Sequence, residues 1–361
     1  MNVHRLSRFA ASVKRGSADR LAPMAASPSG PRRSTVHDVA RAAGVSRGTV
    51  SRVLNGGYVS EQAREAIHRA ISEVGYVPNT AARNLVRQRT QAVGFIVHEP
   101  HSLFLEDPNI GGIMLGANTT LSQADYQMVC VVVDTARDTD RVARYLSGGF
   151  VDGAVIVSAR HQDPISDVVE RLRLPVAFVG HPPGISGAWV GIDNRGAAEA
   201  VVTRLRETGR RRIGMIAAAL DRDSGSDRLA GFRAALGDAF DPALVEPVDL
   251  YAFADGAAGM TRLLERAPDL DGVFAASDAV AAGAMQALRA AGRRVPEDVG
   301  VVGFDDSAWA TRTSPQLSTV HQPAEGLGAA AAAAVLAQLD GDQSVRTGIL
   351  LDAPVVWRDS A

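Results

Sequence analysis

The chain has 361 residues, 46% of them hydrophobic and 22% charged, which allows two or three globular domains and excludes a disordered or fibrous protein. No apolar run approaches the ~18 residues of a membrane helix, and a single cysteine, Cys130, excludes an intrachain disulfide, as suits a reducing compartment. The formal net charge of -2 hides an asymmetry: residues 1–90 hold 15 Lys/Arg against 5 Asp/Glu, leaving 23 against 35 for the rest, so the amino-terminal end is the one suited to a polyanion.

Residues 1–33, rich in Arg, Ala, Ser and Pro, read as a disordered extension; the apolar stretch Phe9–Ala11 is too short for a signal-peptide core, and Met24 is an alternative start. Folded structure is expected from Thr35, in TVHDVARAAGVSRGTVSRVLN. Thr35 caps a first helix with Asp38 as the acidic half of a capping box, and Val36, Val39, Ala40 and Ala43 give it one apolar face. Gly44 ends it. Ser46 caps the next helix, whose Val50, Val53 and Leu54 point inward while Arg47, Ser51, Arg52 and Asn55 point out. Such a face suits a helix laid in the DNA major groove. There Arg47 or Arg52 could bind a guanine bidentately, and Thr49 and Ser51 could reach phosphates or base edges. At this point a small helical bundle with a solvated face is the plainer alternative.

A loop at Gly56, Gly57 and Tyr58 leads to Ser60, the cap of a third helix with an apolar stripe from Ala63 to Val74, stopped by Gly75. The piece YVPNTAARNLVRQRT turns at Pro78 and offers Asn79 as the cap of a helix of about ten residues, too short to be stable alone in water and therefore a candidate to fold only when held. From Ala92 the texture changes. AVGFIV, QMVCVVV, GAVIVS, PVAFVG, RIGMIA, GVFAAS and VGVVGF read as buried parallel strands, with helical segments such as 195–208, 227–237, 279–291 and the Ala-rich 328–337 between or after them. This is a doubly wound α/β pattern, long enough for two sheets, in which ligands bind at the carboxyl ends of the strands. Cys130, within YQMVCVVV, is expected in the core. The expected domains are 34–78, a linker or hinge helix at 79–90, and 91–361.

VSRGTVSRVLN, GYVPNTAARNL, VDG, DRLAGF, VPEDVGVVGFDD and TVHQP stand in the order found in one family. From Thr35 to its end the chain resembles the lac repressor and gal repressor family of bacterial transcription regulators. The resemblance implies an all-α helix-turn-helix headpiece, a hinge helix, and a two-lobed α/β effector domain with parallel sheets, similar to periplasmic sugar-binding proteins. It puts Arg47, Gly48 and Arg52 on recognition positions, Gly48 departing from the usual larger residue. It puts Asn79, Ala82 and Leu85 on the hinge helix, whose leucine is wedged into the minor groove, where an apolar wedge kinks the duplex at a cost of ~a few kcal/mol. Thr35, Thr49, Ser51, Asn55, Tyr58 and Ser60 complete the candidate DNA contacts.

For the ligand, the resemblance implies Arg228, Asp305 and Gln322, with Phe253 at an aromatic position, a set suited to a polyhydroxylated molecule. A dipeptide that is usually Asn-Asp reads Ser277-Asp278; Ser277 belongs to the expected ligand set, and Asp278 is expected to cap the helix that follows. His98, His101, His161, His181 and His321 all follow predicted strands. They lack helical ligand spacing, so no metal is expected; His98, His181 and His321 are the ones to test as cleft-lining groups, with His98 and His181 in the ligand set. The expectation is a cytoplasmic, nucleoid-associated homodimer without cofactor or enzymatic activity. It would repress carbohydrate uptake or utilisation genes by binding a near-palindromic operator under the control of a small effector, most simply a sugar. The alternatives are a sugar-binding transport-type protein and a regulator responding to a non-sugar ligand such as a nucleobase.

Overall fold

The computed structural model describes residues 34–77, 89–161, 163–182, 184, 187–342 and 348–361. The expected extension at 1–33 and the hinge positions Asn79, Ala82 and Leu85 lie outside the described residues. The chain divides into two compact units, Met1–Thr80 and Ala81–Ala361.

The first unit contains α1 (Val36–Ala43), α2 (Arg47–Leu54) and α3 (Glu61–Val74). The Asp38 carboxylate accepts the Thr35 N–H at 2.9 Å and the Thr35 hydroxyl at 2.7 Å. Ser46 and Ser60 cap α2 and α3 by accepting the N–H of Thr49 and of Ala63. Gly44 and Gly75 end α1 and α3 with φ of 66° and 59°, the left-handed conformation that costs glycine nothing. Eight-residue helices do not hold in water by themselves; burying Val39, Val50 and Ile67 completely, each worth about 1.5–3 kcal/mol, makes them one body.

The second unit is a pair of lobes. The first lobe is a six-stranded parallel sheet ordered β11-β5-β4-β3-β1-β2, formed by β1 (Ala92–Val97), β2 (Gln127–Val132), β3 (Gly153–Val157), β4 (Val176–Val179), β5 (Ala188–Ile192) and β11 (Gly348–Leu351). Its helices are α4 (His101–Glu106), α5 (Pro108–Gln123), α6 (Ala136–Ser147) and α7 (Pro164–Leu172). The second lobe holds α8 (Asn194–Glu207), α9 (Asp223–Leu236), α10 (Phe253–Arg266), α11 (Asp278–Ala290) and α12 (Ala308–Arg312) around the parallel sheet β7-β6-β8-β9. Those strands are β6 (Ile213–Ala218), β7 (Val245–Val248), β8 (Gly272–Ala275) and β9 (Gly300–Val302). Bridges from Val302 to Ser318 and from Asp305 to His321 extend the sheet to the antiparallel pair β10 (Thr319–Val320) and β12 (Val355–Val356). α13 (Ala324–Leu339) returns to the first lobe and packs on α5. There a Cβ at Gly116 would meet the Glu325 carbonyl and one at Gly328 the Ile113 carbonyl, so both glycines are required for the helices to touch.

The two-lobed α/β architecture with parallel sheets agrees with the sequence, and seven of its strands are the apolar runs named above. Cys130 is a correction: it is exposed. β2 is the edge of its sheet, and its apolar run reads like a central strand although only β1 flanks it. Neither β2 (QMVCVV) nor α5 (PNIGGIMLGANTTLSQ) carries a charge, and Leu115 of α5 is 53% exposed. Among the described residues no helix is long and apolar enough to cross a membrane.

Candidate functional site

Two surfaces carry chemistry. On α2, Arg47, Gly48, Ser51, Arg52 and Asn55 are exposed while Val50 on the opposite side is fully buried. The side chains differ in how free they are. Thr49 is half-buried, with its hydroxyl 2.9 Å from that of Ser46. The Asn55 amide donates to the Ser51 carbonyl at 2.9 Å. Arg47 and Arg52 have no side-chain partner among the described residues. A Cβ at Gly48 would meet only the Ser46 hydroxyl oxygen at 3.6 Å, so the fold does not demand glycine there. The flatness at that position leaves Arg47 and the helix backbone as the protruding features. Tyr58, 90% exposed, stands in the loop after α2, and Thr35 and Ser60 are caps before they are anything else.

The second surface is the cleft between the lobes. Its walls are the carboxyl ends of strands from both sheets, where loop side chains converge. Glu99 follows β1, Ser158 follows β3 and Gly180 follows β4; Arg222 follows β6, Tyr251 follows β7 and Asp305 follows β9. The space between these walls, counted with the open solvent at its mouth, is about 710 Å³.

Arg228, on α9 and 4% exposed, is the hub. Its Nε donates to Asn194 at 2.9 Å, one terminal nitrogen donates to the Ala276 carbonyl at 2.7 Å and to Asp305 at 3.3 Å, and the other to Gln322 at 3.2 Å. The guanidinium also lies 3.7 Å over the Phe304 ring. Three residues named from the sequence, Arg228, Asp305 and Gln322, are therefore brought together. Asp305 has φ of 114°, a left-handed backbone rare for a side-chain-bearing residue, which aims it into the cleft. Burial pushes its carboxyl well above the usual range, against the pull of Arg228. Asp107 is raised for the same reason, and Glu99 is pushed up to about 7 by burial although Arg222 beside it opposes the shift. The cleft thus sets carboxyl groups that burial makes reluctant to ionise beside the guanidinium groups of Arg222 and Arg228.

Arg222 and Glu99 form a buried ion pair at 2.6 Å from opposite lobes. The Nε of Arg222 is buried without a partner among the described residues, a donor left over in the cleft wall. Arg160 pairs with Asp221 at 3.3 Å, His161 N–H donates to the Asp221 carbonyl, and His181 N–H donates to the Asp223 carboxylate. The turn 221–223 of the second lobe is thereby clasped by the first.

Other residues named from the sequence fall elsewhere. Phe253 does not line the cleft: it stacks on Trp309 at 5.5 Å, and Tyr251 takes the wall position. Trp309 faces a recess adjoining the cleft, shared with Asp107, Tyr251 and Asp305. Ser277 is the N-cap of α11 and reaches only that recess. Asp278 is not the cap but the first helical residue, its buried carboxylate accepting from Ser307 N–H at 2.7 Å and the Thr319 hydroxyl at 2.6 Å. It holds the strained turn that presents Asp305, and burial raises it to about 7. His98 is bonded at 2.5 Å to Asp163 and is no part of the cleft wall. His101 pairs with Asp134 and His321 with Asp306, and His181 stacks on Trp189 at the rim. Glu99, Asn109, Asn194, Arg222 and Tyr251 were missed; no spacing rule marks residues that meet only across a cleft.

Residues 35–79 match the family of bacterial regulatory proteins of the lacI type, and residues 202–361 match the periplasmic binding protein-like domain. The chain is 41% identical over 336 residues to the HTH-type transcriptional regulator CelR of Thermobifida fusca, covering 91% of this chain and 98% of that one. It is 32% identical to the ribose operon repressor of Halalkalibacterium halodurans, covering 85% and 90%. Among solved structures it resembles a transcriptional regulator CelR–cellobiose complex, with a TM-score of 0.73, 39% identity and coverage of 91% and 100%. It also resembles the lac repressor dimer bound to operator and the anti-inducer ONPF, with a TM-score of 0.82, 25% identity and coverage of 91% and 99%.

Proposed function

The chain belongs to the lacI family of bacterial regulatory proteins, DNA-binding transcription regulators, and we propose that it is a repressor controlled by a neutral β-linked gluco-disaccharide of the cellobiose type. One observation carries the ligand class: Arg228, Asn194, Asp305 and Gln322, from separated segments, converge in one hydrogen-bonded cluster at the cleft wall. Arg and a carboxyl can each engage neighbouring hydroxyls, Gln both donates and accepts, and the orphan Nε of Arg222 offers one more donor. The relative solved with cellobiose supports the same ligand class.

The DNA side rests on α2, where Arg47 and Arg52 have no side-chain partner among the described residues, with the hinge positions Asn79, Ala82 and Leu85 further along the chain. A second copy would dock on the uncharged face of α5 and β2, where an unpaired parallel edge and Leu115 invite coverage. Two headpieces then read a near-palindromic operator. A transport-type role leaves the headpiece match at 35–79 unexplained, and the cleft is read as a regulatory rather than catalytic site. Calorimetric titration of the full chain with cellobiose tests the ligand class. Binding should be lost in Asp305→Ala, while binding of glucose 6-phosphate in preference to cellobiose would refute it.

A further inference from the structure

His181 and Trp189 lie outside the cleft already described, but they adjoin it on three sides. Gly180, Gly191 and Asp223 line the cleft. His181 follows Gly180 and donates its N–H to Asp223. Trp189 lies on the same face of β5 as Gly191, its ring spread flat across the neighbouring strand: a Cβ at Gly191 would sit 3.7 Å from it, and one at Gly348 would fall inside it. The exposed His181 imidazole lies against the Trp189 ring, with ring centroids 4.4 Å apart and planes inclined by 32°. Around the pair stand Asp193, Asp223, Asp227 and Arg195. Asp227 is raised by burial and by Asp223 and Asp193, and His181 and Arg195 oppose that shift, so these groups share one neighbourhood.

We propose that the His181–Trp189 pair is an outer subsite, continuous with the cleft, that stacks a third pyranose ring of a β-linked gluco-oligosaccharide. The imidazole takes the C–H face of the ring, and Trp189 holds the imidazole in place from behind. Asp223 and Asp227 accept from the ring hydroxyls and Arg195 donates to them, the same aromatic-plus-carboxylate chemistry as the inner cleft. This rests on the disaccharide reading above and extends it from two rings to three.

Calorimetry on the full chain compares cellobiose with cellotriose. Cellotriose should bind about fivefold tighter or more, a difference of ~1 kcal/mol. His181→Ala should erase that advantage while leaving the cellobiose Kd within about twofold. Trp189→Phe, which keeps a ring behind the imidazole, should retain part of it. As a check independent of any destabilised variant, cellotriose and not cellobiose should change the tryptophan emission that Trp189→Phe removes. Equal affinities for the two sugars, or an advantage that survives His181→Ala, would overturn the outer subsite alone. Failure of cellobiose itself to bind would remove the disaccharide reading and the subsite together.

Discussion

A double-mutant cycle of Arg228→Ala and Asp305→Asn isolates the coupling between the two groups at the centre of the cleft. Arg228→Ala deletes bonds to Asn194, the Ala276 carbonyl, Asp305 and Gln322 and leaves Asp305, 7% exposed, without its countercharge. Removing one partner of a buried pair costs about 3–5 kcal/mol, here because Asn194, the Ala276 carbonyl, Asp305 and Gln322 all lose their donor in a buried site. Asp305→Asn should cost only ~1 kcal/mol, because the amide keeps an acceptor for Arg228 and the carboxyl was already held well above its usual range by burial. The double variant should then be less destabilised than the sum of the singles by ~2 kcal/mol, a coupling typical of residues in contact. Urea unfolding at one fixed protein concentration, with equal slopes for all four proteins, gives the cycle. Additivity within ~0.5 kcal/mol would mean that the 3.3 Å contact carries no net coupling, and the hub reading would fail.

Arg47→Ala should weaken binding to the preferred operator by ~1–3 kcal/mol and relax preference at one symmetric base pair per half-site, measured by fluorescence anisotropy on a panel of single-base variants; a uniform loss across the panel would make Arg47 a phosphate contact. Leu115→Lys with Cys130→Glu puts charge on the face of α5 and β2 and should convert dimer to monomer in sedimentation velocity, whereas an unchanged dimer would place the interface elsewhere. Glu99 is raised from 4.5 to about 7, so the folded state holds a proton that the unfolded state loses: the stability tied to this group is full below 4.5 and is lost as pH rises through 7. Glu99→Gln should therefore gain on wild type by ~1 kcal/mol per pH unit between pH 5 and 7, and parallel stability curves would show that Glu99 does not titrate there.

The headpiece was legible because its signals are local. Caps, glycine stops and the face of α2 all lie within a few residues of what they control. The parallel strands were legible from apolar runs, except at β2, where composition gives no sign of an edge and Cys130 was placed in the core. β5, β7, β10, β11 and β12 are not marked by those runs: β10 and β12 are two residues long, and β7 is broken by Glu246 and Pro247. The cleft was legible only through the resemblance, since Arg228 and Gln322 stand 94 positions apart and no periodicity joins them. Between β7 and α10 the sequence has no repeat to set register, and the aromatic wall residue was read two positions late, as Phe253 instead of Tyr251. His98 looked like a cleft residue for following a strand, but its partner Asp163 is 65 positions away. As an acid at a helix start, Asp278 reads like a cap; Ser277 does that work and frees Asp278 to clamp Ser307 and Thr319.

The most direct test couples the two surfaces. A ligand shifts operator affinity only by its differential affinity for the two lobe arrangements, and ~1–3 kcal/mol is the usual scale, or about fivefold to 150-fold in Kd. The full chain is titrated onto a palindromic operator selected with the same protein, with and without saturating cellobiose, for wild type and Asp305→Ala. Cellobiose should change the wild-type operator Kd by at least about fivefold and leave that of Asp305→Ala unmoved, the two ligand-free affinities agreeing within about twofold. A wild-type Kd indifferent to cellobiose, or a shift of equal size in Asp305→Ala, would contradict regulation through this cleft.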